Sequence, residues 1–142
     1  MTTIQEPTRP TALGFGITLP LPVPNAVELV TAALKTEGFG VLTTIDVQQT
    51  LRNKIEVEVP PYIILGACNP HLAHRALAIE PDLGMLLPCN VVVAEVEGGS
   101  QISIADPLQM LGMAGDRPEL MSIAQEAEAR LRRVVGALDS AT

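Results

Sequence analysis

The sequence predicts a two-layer α+β domain, and three observations carry that expectation. Segments with strand-like and helix-like patterning alternate along the chain in the order β-α-β-(α)-β-α-β-β-α. At 142 residues the chain has the length of one domain with one core, hiding about 70% of the surface its unfolded form would expose. Finally, 47% of the residues are apolar and 18% charged, a balance that argues against disorder. The palette is unusual, because only Phe15, Phe39 and Tyr62 are aromatic, so Ala, Val, Leu and Ile must do the packing.

Residues 1–13 are polar and contain proline, which predicts a flexible arm before a single domain over 14–142. Phe15 to Leu21 has strand character, and Pro20, Pro22 and Pro24 confine it to an edge or cut it short. Asn25 and Glu28 resemble a capping box, Val27, Val30 and Leu34 recur at helical spacing, and Gly38 stands where a left-handed C-cap belongs, giving a helix from about Ala26 to Glu37. Phe39 to Asp46 returns as a strand. Val47 to Ile55 suits a short surface helix, with Gln48, Gln49, Arg52, Asn53 and Lys54 on it. After Pro60 and Pro61, the continuous apolar run Tyr62 to Cys68 predicts a strand buried on both faces.

Asn69-Pro70 supplies an N-cap and a first-turn proline for a helix striped by Leu72, Ala73, Ala76 and Leu77, ending before Pro81. Cys89 to Glu97 is a Val-rich strand, Gly98-Gly99 a tight turn, and Gln101 to Ala105 its hairpin partner. Asp106-Pro107 is expected to be a strand-end turn. Asp116 and Glu119 open the last helix, whose apolar face runs from Leu120 to Leu138 and lies across the sheet. Glu126 with Arg130 and Glu128 with Arg132 fall at i,i+4.

The net charge of −7 and the absence of a basic face exclude nucleic acid as the expected partner. Apolar stretches are interrupted well short of the ~20 residues a membrane helix needs, and Met1 to Pro10 carry no apolar signal core, so the expected location is cytoplasmic. Cys68 and Cys89 are then expected as reduced thiols.

Both cysteines and both histidines fall between positions 68 and 89. Cys68 stands where a strand meets a helix N-terminus, a position whose dipole lowers a thiol pKa. Cys68, His71 and His74 space as C-x2-H-x2-H, and Cys89 completes a possible soft-metal quartet. The competing reading is that buried cysteines pack as small hydrophobes and that the histidines are surface residues. Arg75 with the helix N-terminus suggests a small-anion site, against the plainer reading of a solvated arginine. A disulfide requires the two strand ends to share one end of the sheet, which only antiparallel neighbours provide. Nucleotide-loop and hydrolase motifs are absent, and Glu56 and Glu58 suit a solubilising edge.

The segments Ile64-Leu65-Gly66-Ala67-Cys68-Asn69-Pro70, Leu72-Ala73-His74-Arg75-Ala76-Leu77 and Leu86-Leu87-Pro88-Cys89-Asn90-Val91 closely resemble those of the domain of unknown function 302 family, as does Phe39-Gly40-Val41-Leu42-Thr43. The resemblance runs from about Gly14 to Leu138. It implies a mainly antiparallel sheet with helices on one face, similar to the TATA-binding-protein-like class, often as a homodimer, and it implies no established activity or cofactor. The matched positions make Cys68, Asn69, His74, Arg75, Cys89 and Asn90 the ligand-site candidates, together with Pro70 and Pro88. His71 departs from the family pattern, which counts against the metal quartet. The resulting expectation is a binding domain for a small anion, a soft metal or a reactive sulfur species. The alternatives are a structural homodimeric module without a ligand, and an enzyme with Cys68 as nucleophile and His74 as base.

Overall fold

The computed structural model describes the backbone from Thr8 onward and side chains from Thr11 onward. Six strands, β1 (Thr8–Pro10), β2 (Gly14–Leu19), β3 (Gly40–Asp46), β4 (Tyr62–Cys68), β5 (Cys89–Val96) and β6 (Gly99–Ala105), form one sheet in the order β1-β2-β6-β5-β4-β3. Every neighbouring pair is antiparallel. Among the described residues five helices, α1 (Val23–Thr36), α2 (Val47–Ile55), α3 (Pro70–Ile79), α4 (Pro107–Gly112) and α5 (Pro118–Ser140), complete the α+β fold with a 3-10 helix at Pro81–Leu86.

The alternation of each strand puts one set of side chains beneath α1 and α5. Two rows cross the sheet on that side. Phe15, Ile104, Val91 and Leu65 are in register, as are Ile17, Ile102, Val93 and Ile63, and seven of these eight are buried. Leu120, Leu131, Val134 and Leu138 of α5 and Val30 and Leu34 of α1 close over them. Aliphatic residues thus do the packing, with Phe15 and Phe39 as the two buried rings.

Several sequence expectations need correction. Tyr62–Cys68 is covered on one face, because the helices pack on a single side. Leu65 and Ala67 are buried, while Tyr62 is 38% exposed. Of the expected arm, residues 1–7 lie outside the described residues, and Thr8–Pro10 pair with β2 as a strand. β2 is therefore not an edge, and its prolines lie beyond its last residue. Helix α1 starts at Val23 with Pro22 as N-cap, since Pro24 fits a first turn whose N–H needs no partner, so Asn25 is no cap. Arg117, not Asp116, occupies the N-cap of α5, again before a proline. Asp106-Pro107 opens helix α4 instead of a simple turn, the Asp106 carboxylate accepting the Leu108 N–H at 2.9 Å. Gly38 does take the left-handed conformation, at φ 85°.

Candidate functional site

The antiparallel pairing of β4 with β5 brings Cys68 and Cys89 to the same end of the sheet. Ala67 pairs with Cys89, and Cys68 is the next residue along β4. Both are half-buried free thiols, and both line a cavity of about 40 Å³ beneath α3, α4 and α5. The rest of its wall is almost wholly apolar, with Phe39, Leu72, Leu111 and Ile123 among its side chains and Met110 adding a thioether.

The two cysteine motifs are packed on each other, and Gly66 shows why. A Cβ on Gly66 would stand 2.8 Å from Pro88 Cγ and collide with Thr43 Oγ1. Only glycine lets the Leu87-Pro88 turn, joined by a cis peptide, lie against β4 and deliver Cys89 opposite Ala67.

Asn69 is buried, and its side chain is committed to structure. Its Oδ1 accepts the Leu72 N–H at 3.2 Å as the N-cap of α3, and its Nδ2 donates to the Glu37 carbonyl at 3.4 Å. Arg130 donates to the same carbonyl at 3.2 Å, so one acceptor at the end of α1 ties α3 and α5 together.

The electrostatics reverse the expectation of an acidic thiol. Burial pushes Cys68 up, and burial together with the neighbouring Cys68 pushes Cys89 up to about 11. Cys68 precedes the N-cap, the Leu72 amide is taken by Asn69, and Pro70 has no N–H, so the helix start has little to offer the sulfur.

Residues 15–138 match the family described as domain of unknown function DUF302. The chain belongs to this family.

This DUF302 domain is also similar to a solved structure, described as the crystal structure of uncharacterized conserved protein DUF302 from Bacillus stearothermophilus. The two are 31% identical with a TM-score of 0.81, over 89% of this chain and 98% of that one. No functionally curated protein matches the chain.

Of the candidate residues, the DUF302 fold brings Cys68, Cys89 and Asn69 to one cavity and leaves the others apart. His71 and His74 are exposed on α3, and Asn90 is exposed beside Gly66. Arg75 pairs with Glu126 at 3.2 Å. The quartet Cys68, His71, His74 and Cys89 is not assembled, and among the described residues no three His, Cys, Asp or Glu side chains converge on one ion. Sequence reasoning missed Met110 and Leu111, which reach the cavity from α4. The signal was the Asp106-Pro107 pair itself, an N-cap and N1 proline of the kind already recognised at Asn69-Pro70.

Proposed function

We propose that this DUF302 domain is a binding domain whose ligand is a small thiophile received between Cys68 and Cys89. The supporting observation is that two thiols from adjacent strand ends line one apolar cavity without a charged side chain in its wall. An anion finds little there, since Asn69 is committed to the backbone and Arg75 to Glu126. Sulfur-seeking ligands suit it better, either a soft metal or a reactive sulfur species. A polysulfide would hand its terminal sulfur to a cysteine thiolate, a new S–S bond forming at the protein as the old one breaks toward the shortened polysulfide. The position of His74, exposed and outside the cavity that holds Cys68, speaks against a cysteine nucleophile with that histidine as base.

The test is alkylation of the native protein, read by mass, with and without prior exposure to cuprous ion or inorganic polysulfide. Protection of Cys68 and Cys89 together, lost for Cys89 in Cys68→Ser, is the expected result. Two thiols that no thiophile protects would sink the reading.

The uncovered sheet face favours a second reading, a homodimeric module. Ile45, Ile64 and Val92 lie in register across it, beside Tyr62 and Ala94. This strip is uncharged, so two copies of an acidic chain can approach through it with the least repulsion. Sedimentation of the native chain and of Tyr62→Lys tests it, a dimer converted to monomer being the expected outcome and a native monomer its refutation. If the domain is structural alone, Cys68→Ala and Cys89→Ala lose stability with no ligand to lose.

A further inference from the structure

We infer that Met110 joins Cys68 and Cys89 in a three-sulfur site selective for a monovalent soft cation of the cuprous type. The inference rests on the preceding reading of the cavity and names its ligand class. Its starting point is α4, a helix that presents Pro107, Met110 and Leu111 to the cavity holding both thiols. Met110 borders a second space as well, the open groove formed with Tyr62, Asn90 and Val92 on the uncovered side of the sheet. It is half-buried and lines both the dithiol cavity and this groove.

Three properties of the wall select the ion. First, its donors are sulfur, because the Asn69 amide is engaged with Leu72 and Glu37 and no charged or imidazole side chain lines the cavity. Thiolate and thioether donors favour cuprous-type ions, whereas zinc takes four ligands and magnesium or calcium takes oxygens. Second, charge limits the site. Two thiolates already exceed the charge of a monovalent cation, so the third donor must be neutral, and a thioether completes the set without adding charge. Third, Met is unbranched and polarizable, so it can close on an ion without a fixed geometry.

Binding is a proton exchange with no redox step. The cation forms two metal–thiolate bonds and one metal–thioether contact, and each thiol gives its proton to solvent. Because each thiol must give up its proton to bind the ion, uptake strengthens as pH rises, with up to two protons released per ion.

The experiment is anaerobic titration of the whole protein with cuprous ion against a competing chelator, with sulfur neighbours counted by X-ray absorption. The native protein is expected to take one ion with three sulfur neighbours. Met110→Leu, a volume-conserving change, is expected to fall to two sulfurs and to lose roughly tenfold in affinity, the scale of removing a supporting partner from a metal site. Met113→Leu, altering a methionine that is 71% exposed, is expected to match the native protein. Circular dichroism verifies that Met110→Leu is folded. If Met110→Leu matches the native protein in affinity and sulfur count, the three-sulfur site is overturned while the dithiol pocket stands. Displacement of the cuprous ion by equimolar zinc overturns the selectivity. Failure of cuprous ion to protect Cys68 and Cys89 from alkylation overturns this site, and the pocket reading falls with it only if inorganic polysulfide also leaves both thiols unprotected.

Discussion

Asn69 and Cys89 are neighbours in the site with opposite duties. Asn69 caps α3 and holds the end of α1, which is why an amide with both an acceptor and a donor stands there. Asn69→Ala is expected to cost about 1–2 kcal/mol, the usual value of a lost cap, and Asn69→Ser, which can cap but not reach Glu37, is expected to fall between. Urea midpoints measure both. Cys89 reports on itself through pH. Its thiol is ordinary in the unfolded chain and raised to about 11 in the fold, first by burial and then by Cys68. Below pH 9 both states keep the proton and the full contribution is present. Between pH 9 and pH 11 the unfolded chain releases a proton that the fold retains, so stability falls, by up to about 3 kcal/mol. Cys89→Ala should reduce the alkaline slope in denaturation curves recorded from pH 8 to 11, leaving the part that the raised Cys68 thiol supplies.

Between elements, the contact that shapes the site is Pro88 on Gly66. The glycine in the first cysteine motif and the proline in the second occupy one piece of space, so each motif explains the other. Gly66→Ala is expected to destabilise by about 1–3 kcal/mol through overpacking against Pro88 and Thr43. It should also shift the alkylation rate of Cys89, since Asn90 opposite Gly66 and Cys89 opposite Ala67 move together. Gly40→Ala, with nothing within 4 Å of the added carbon, is the control and is expected to change neither reading. Helix α4 follows the same logic from its cap. Asp106 accepts the Leu108 N–H, and one turn later Met110 and Leu111 meet the cavity, so Asp106→Ala is expected to loosen the wall that carries the thioether.

Across the whole molecule, α5 is the member that binds the layers. Its Glu126 pairs with Arg75 of α3 and Arg130 of its own helix, its Arg133 with Glu37 behind α1, and Arg117 before it with Glu80 at the 3-10 helix. The Arg75 hydrogen bond holds the Glu126 carboxyl below its ordinary value, the Asp82 amide and then Arg117 do so for Glu80, and Arg52 does so for Glu58. Carboxylates lowered in the fold contribute stability above their ordinary pKa of 4.5, and that contribution is lost as pH falls below it. Denaturation from pH 7 to pH 3 should therefore show an acid slope. These pairs are substantially exposed, so the slope should shrink in high salt. It should shrink again in Glu126→Gln, and an unchanged slope in that variant would remove the network from the account.

The extents of α2 and β4, the antiparallel hairpin of β5 and β6 and the long α5 were all legible in local pattern, because caps, turns and apolar periodicity act within a few residues. So was the placement of Cys68 where β4 meets α3 and of Cys89 at the start of β5. The starts of α1 and α5 were misplaced because prolines accepted in a first turn outweighed nearby polar caps. Only tertiary structure decided what the segments do. Strand pairing at long sequence separation set the thiols side by side, and one-sided helix packing left a sheet face open. Burial, a property of the assembled wall, raised the thiol pKa values where the helix start alone predicted the reverse. Met110 entered the site for the same reason. Nothing local distinguishes it from the other methionines until α4 folds back over the ends of β4 and β5.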